Sequence, residues 1–131
     1  SGAVYVFSPG SQNGSAIHIL YGANPGDRFG SMVLSVGDTN SDGIPDFLVG
    51  SPDETAAGAT TAGGVRLYSG ADMSPLGAWF GSSANARFGS AACALGDWNS
   101  DGHADFAIGA PGAQDPPTGT TTQAASSSLR R

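Results

Sequence analysis

Asp38-Thr39-Asn40-Ser41-Asp42-Gly43-Ile44-Pro45-Asp46 returns 59 residues later as Asp97-Trp98-Asn99-Ser100-Asp101-Gly102-His103-Ala104-Asp105. The same spacing carries Arg28-Phe29-Gly30 to Arg87-Phe88-Gly89, Gly37 to Gly96, Phe47 to Phe106 and Gly50-Ser51-Pro52 to Gly109-Ala110-Pro111. Further upstream the spacing slips to 61, since Val4 and Ser8 match Val65 and Ser69, and a two-residue insertion in a turn explains the slip. Self-similarity at one fixed period marks a chain built of repeated structural units.

Each unit reads as four short strands, at 3–8, 16–21, 31–36 and 46–50, then at 65–69, 76–80, 90–95 and 105–109. The runs are apolar and are cut by Gly, Ser, Asn and Asp, which is the texture of strands and turns rather than helices. Met32-Val33-Leu34 and Phe47-Leu48-Val49 are apolar throughout, as expected of strands covered on both faces. Alternation at Val4 and Val6, and at Val65 and Leu67, fits half-exposed outer strands. Four strands in a period of about 40 to 60 residues suit propeller blades better than a solenoid. The fold class expected is all-β, with β-propeller blades of four antiparallel strands and two blade equivalents in the chain.

The acidic loops place oxygen-bearing side chains at positions 1, 3, 5 and 9 and Gly at position 6. Alternate residues of a tightly coiled loop point to its centre, so Asp38, Asn40 and Asp42 can face one ion, and Gly43 permits the sharp turn. The backbone carbonyl of Ile44 and the carboxylate of Asp46 complete an all-oxygen shell of the kind Ca²⁺ prefers. Asp97, Asn99, Asp101, the carbonyl of His103 and Asp105 repeat the set. An EF-hand needs a Glu at position 12 and flanking helices. Here position 12 is Val49 or Ile108, inside a strand, so that reading fails, as does a dockerin-like one. Asp, Asn and Gly also build ordinary turns. Two such loops at one spacing argue against that, because clustered carboxylates repel one another without a cation.

The loops hold 6 of the 11 acidic residues, so much of the acidity is assigned to these sites. A net charge of −6, with five Arg and no Lys, excludes a phosphate-backbone partner such as nucleic acid. No apolar run is long enough to span a bilayer, and no signal-peptide pattern opens the chain, so an export signal is expected outside it. The lone Cys93 cannot form an internal disulfide and reads as a small buried side chain. Asn13-Gly14-Ser15 is a glycosylation sequon only in a eukaryotic secretory pathway. The Ala, Thr and Gly of 56–64 and the composition of 113–131 suggest mobile segments. His18 reads as a half-exposed filler, His103 as a residue whose ring points outward, Trp79 as a packing residue, and Trp98 as an exposed candidate for a ligand contact.

Phe-Gly, then a strand, then Asp-x-Asn-x-Asp-Gly-x-x-Asp, then Gly-Ala-Pro together resemble the FG-GAP repeat of integrin α-subunit propellers and of many secreted bacterial proteins. Residues 3–111 carry the resemblance, and Ser51 stands where the second copy has Ala110. It implies seven four-stranded blades in the parent fold, with Ca²⁺, mainly structural, in the loop joining a blade's first two strands. It also implies a role in extracellular adhesion or binding. Blades of that family begin at Phe-Gly. The expected organisation is therefore 1–28 as the outer strands of a preceding blade and 29–80 as a complete blade with its calcium loop. Residues 81–112 form the inner strands of a following blade with its own calcium loop, and 113–131 a disordered tail.

A propeller closes with roughly four to eight blades. The chain is therefore expected to be a fragment of a longer protein with a larger propeller, the favoured reading, or to self-associate, or to expose strand edges prone to pairing, with neighbouring blades as partners in the first two cases. The leading functional expectation is a non-enzymatic, calcium-binding module of an extracellular or cell-surface protein, with a protein or glycan ligand. Neither a nucleophile with its base nor a phosphate cradle stands out. The alternatives are the propeller part of a secreted enzyme, such as a lyase, hydrolase or phospholipase, and a purely architectural repeat.

Overall fold

A computed structural model describes residues 2–7 and 16–113. The sequon at Asn13 and the tail beyond residue 113 lie outside the described residues. Among the described residues eight strands form: β1 (Ala3–Phe7), β2 (Ala16–Tyr21), β3 (Met32–Gly37), β4 (Asp46–Ser51), β5 (Gly64–Tyr68), β6 (Pro75–Phe80), β7 (Ala91–Gly96) and β8 (Asp105–Gly109). Every strand end falls within one residue of its expected position. The strands make three antiparallel sheets, β1-β2, β3-β4-β5-β6 and β7-β8, so the protein is all-β, with two blade equivalents.

Both β3 and β7 leave regular pairing just before their acidic loops, where the register shifts between Ser35 and Gly37 and between Ala94 and Gly96. Gly37 and Gly96 take φ of 81° and 69° there, a left-handed conformation that glycine adopts without a Cβ penalty. The bulge bends each strand and aims the loop that follows.

Two clusters hold the sheets together. Val4 and Phe29 pack with Val49, joined by Leu20, Phe47 and Tyr68, and so bind β1-β2 to one face of the central sheet. Val36, Leu48, Val65, Leu67, Phe88 and Phe106 form the other cluster, against the β7-β8 side, with Trp79 meeting Phe106 edge-on at 5.6 Å. Leu48 and Val49, which point to opposite faces of β4, are both fully buried, as their apolar run implies. In β3 the expectation fails at Val33, which is 52% exposed.

Segment 56–64 is not the mobile loop that its composition suggests. The carbonyls of Thr60, Thr61 and Ala62 accept hydrogen bonds from the N–H groups of Asn85, Arg87 and Phe88 at 2.9, 3.1 and 2.9 Å. Gly63 bridges to Phe88 in parallel, and a Cβ on Gly63 would strike the Phe88 backbone. Small residues are needed here because another backbone passes at contact distance. Cys93 is also corrected. It is exposed, because no sheet among the described residues covers that face of β7.

Leu48→Ala is expected to cost about 2–5 kcal/mol of stability through lost burial and a residual cavity, whereas Val33→Ala should stay within about 0.5 kcal/mol. Chemical denaturation of the two variants checks this, and equal losses would contradict the packing described.

Candidate metal centre

The loops between β3 and β4 and between β7 and β8 have the same backbone. Ser41 and Ser100 at position 4 take φ of 64° and 60°, and Gly43 and Gly102 at position 6 take 82° and 88°. A Cβ on either glycine would meet nothing within 4 Å, so glycine is needed there for its conformation and not for space.

This coil turns N–H groups inward onto the carboxylates. Asp38 accepts from the N–H groups of Asp42 and Gly43 at 3.1 and 2.7 Å, and Asp97 from those of Asp101 and Gly102 at 2.9 and 2.8 Å. Asp42 and Asp101 accept from the N–H groups of Ile44 and His103, each at 2.9 Å. Partial burial works against ionisation of Asp38, but the N–H groups of Gly43, Asp42, Ser41 and Asn40 outweigh it and hold its pKa below the ordinary value. For Asp101 the leading cause of a lowered pKa is the His103 N–H, opposed by desolvation.

Position 9 differs in being buried. Asp46 and Asp105, the first residues of β4 and β8, are 1% and 2% exposed. Asp46 accepts from the N–H and hydroxyl of Thr39 at 2.8 and 2.7 Å and from the Gly70 N–H at 3.1 Å. Asp105 accepts from the N–H groups of Trp98 and Asn99 at 2.9 and 3.4 Å. Thr39 and Gly70 were not among the candidate site residues. Thr39's place beside Asp38 was the available signal, whereas Gly70 reaches Asp46 only through the fold.

In the second loop one carboxylate oxygen each from Asp97, Asp101 and Asp105 lies within 4.8 Å of the others, and among the described residues no other trio of acidic, His or Cys side chains converges so closely. In the first loop the convergence involves Asp38, Asn40 and Asp42. The Asn40 amide lies 3.1 Å from a carboxylate oxygen of each neighbour. With nitrogen inward it donates to both; with oxygen inward it completes an oxygen triad that calls for a cation. The donor chemistry of both loops fits a hard divalent ion: positions 1, 3, 5 and 9 all offer oxygens, and each oxygen of Asp38 and Asp97 keeps a second lone pair beside the N–H bond it accepts.

Ile44 and His103 stand at position 7, where the backbone carbonyl is the available donor. The His103 ring does not point outward. Its Nδ1 lies 3.1 Å from the Thr39 carbonyl and 3.4 Å from the Ser41 hydroxyl, so it links the two loops. The Thr39 carbonyl can only accept, which places the proton on Nδ1 in that contact. His18 and Trp98 are exposed.

The FG-GAP repeat profile matches residues 32–68 and 88–125. Integrin alpha-PS3 of Drosophila melanogaster is 32% identical over 85% of the chain, and integrin alpha-5 of Xenopus laevis is 38% identical over 76%. Integrin alpha-7 of Homo sapiens is 38% identical over 60%. The chain spans about a tenth of the length of these relatives, between 7% and 10% of each. With two repeat matches covering more than half of its residues, the chain belongs to the FG-GAP repeat family.

Proposed function

We infer that the chain is a calcium-binding propeller segment of an extracellular or cell-surface adhesion protein, in which Ca²⁺ is mainly structural. The observation that carries this reading is the convergence of Asp97, Asp101 and Asp105. Three negative charges within such a distance repel, and a bound divalent ion would neutralise them and lock the loop between β7 and β8. Asp38, Asn40, Asp42, Asp46 and the Ile44 carbonyl would hold the first ion; Asp97, Asn99, Asp101, Asp105 and the His103 carbonyl would hold the second. The proposed organisation keeps blade boundaries at 29–80 and 81–112, so that each ion staples a blade's inner strands. Kinship with integrin alpha chains supports a protein ligand at a cell surface, and the exposed Trp98 is the proposed contact for a protein or glycan.

Calcium should raise the melting temperature and chelator should reverse the rise. At calcium a hundredfold above Kd, one site contributes about 2.7 kcal/mol. Unchanged melting in calcium and chelator would sink the metal reading. Terbium offers a site-specific check, because Trp98 neighbours the second loop and can sensitise its emission. Asp101→Asn should weaken terbium binding there by about tenfold or more, ~1.4 kcal/mol, and Trp98→Phe should remove the sensitised signal without preventing calcium stabilisation.

The sign of the pH effect follows from the lowered pKa values of Asp38 and Asp101. Their ionised forms, and the stability that these forms contribute, are present above the unfolded-state value and lost as pH falls through the folded-state values. Calcium affinity should therefore hold from neutrality down to the ordinary carboxylate range and fall only below it. A calcium titration at several pH values checks it.

A further inference from the structure

One residue belongs to both acidic loops. At position 7 of the second loop the backbone carbonyl of His103 is a proposed ion ligand, while its ring reaches the first loop. There Nδ1 donates to the Thr39 carbonyl at 3.1 Å and lies 3.4 Å from the Ser41 hydroxyl. Those two contacts flank Asn40, the donor at position 3 of the first loop. The next residue follows the same path, since a Cβ built on Gly37, at the entry to the first loop, would lie 3.5 Å from the Cβ of Ala104. Positions 7 and 8 of the second loop therefore lie against the first.

Thr39 carries the contact inward. It is buried, and while its carbonyl accepts from His103, its own N–H and hydroxyl donate to Asp46 at 2.8 and 2.7 Å. The Thr39 carbonyl also belongs to the peptide that leads into Asn40, so the ring holds the backbone between two donors of the first loop, Asn40 and Asp46. On its other side the His103 N–H donates to Asp101 at 2.9 Å, which ties the same residue to a carboxylate of its own loop. Ile44, at position 7 of the first loop, has no side-chain donor, so the link is particular to the joint between these two units.

Building on the reading of both loops as ion sites, we propose that the His103 side chain couples them, so that an ion in either loop raises the affinity of the other. Ordering of the second loop around its ion fixes the backbone that carries the ring, and the ring in turn holds the peptide between Thr39 and Asn40. Ordering of the first loop fixes the acceptor that the ring needs. Whichever loop fills first leaves less of the other to be ordered. Such coupling is reciprocal and generally spans about 5- to 150-fold in affinity. A link made chiefly of one hydrogen bond to a backbone carbonyl belongs at the low end, about fivefold. Through its side chain His103 is a positioning residue for the first site.

Terbium binding to the full chain at one fixed pH, read through Trp98 beside the second loop, tests the link. Asp42→Asn takes a carboxylate from the first loop, and the readout is the factor by which it weakens terbium binding at the second. That factor should be about five times larger in the unmodified chain than in His103→Ala. His103→Ile, which supplies the residue that the first loop carries at this position, should behave as His103→Ala does and serves if the alanine variant misfolds. His103→Asn keeps an N–H donor near the place of Nδ1 and should restore the larger factor. Charge acting between the loops through space persists in every background, so equal factors with and without the ring, while terbium still binds, overturn the coupling and leave the ion sites standing. Failure of His103→Asn to restore the factor overturns it as well. Absence of saturable terbium binding in every background overturns the ion-site reading and the coupling with it.

Discussion

A carboxylate buried at the first residue of β4 ties three parts of the blade together. Asp46 receives the N–H and hydroxyl of Thr39 from the loop before it and the Gly70 N–H from the turn between β5 and β6. A charge that far from water is tolerable only when its oxygens are satisfied. The hydrogen bonds therefore fix the loop against the strand, and the loop's shape is an outcome of that requirement. Asp105 repeats the loop contact at β8, accepting from the N–H groups of Trp98 and Asn99. Substituting either buried Asp would loosen the acidic loop and the strand together, so exposed Asp101 is the cleaner probe of metal binding.

Beside the apolar clusters, close backbone contact also joins the units. The segment 85–88 hydrogen-bonds along 60–62, and Gly22 N–H to Gly2 carbonyl at 3.0 Å matches Gly81 N–H to Gly63 carbonyl at 2.9 Å one unit on. Asp53 lies between the two Phe-Gly segments, 3.5 Å from Arg28 and 3.0 Å from Arg87. The Arg87 contact is close enough for an ion pair but is not aligned as a hydrogen bond. Both arginines are largely exposed, so each pair contributes at most about 1 kcal/mol. Arg66 makes a firmer contact, with two 2.7 Å hydrogen bonds to the mostly buried Glu54 and its guanidinium over Phe80.

Strand positions and the acidic loops were legible in the sequence because their causes are local: glycine where φ is positive, apolar runs of strand length, and carboxylates at alternating loop positions. The joints were not. Residues 56–64 look like a flexible linker until residues 85–88, distant in sequence, are laid against them. Cys93 sits in an apolar run that predicts burial, but burial depends on a neighbouring sheet that a single strand's pattern does not specify. The His103 ring was misjudged for the same reason, since it meets Thr39 and Ser41 only because adjacent units set their loops side by side. Periodicity reports a strand's own structure; it reports contacts between units only where the repeat supplies a template.

The central claim is that these loops are ion sites and not merely acidic turns. Isothermal titration of the metal-free chain with Ca²⁺ tests it most directly. The expected result is saturable binding of two ions per chain, one for each loop; absence of any saturable binding would contradict it.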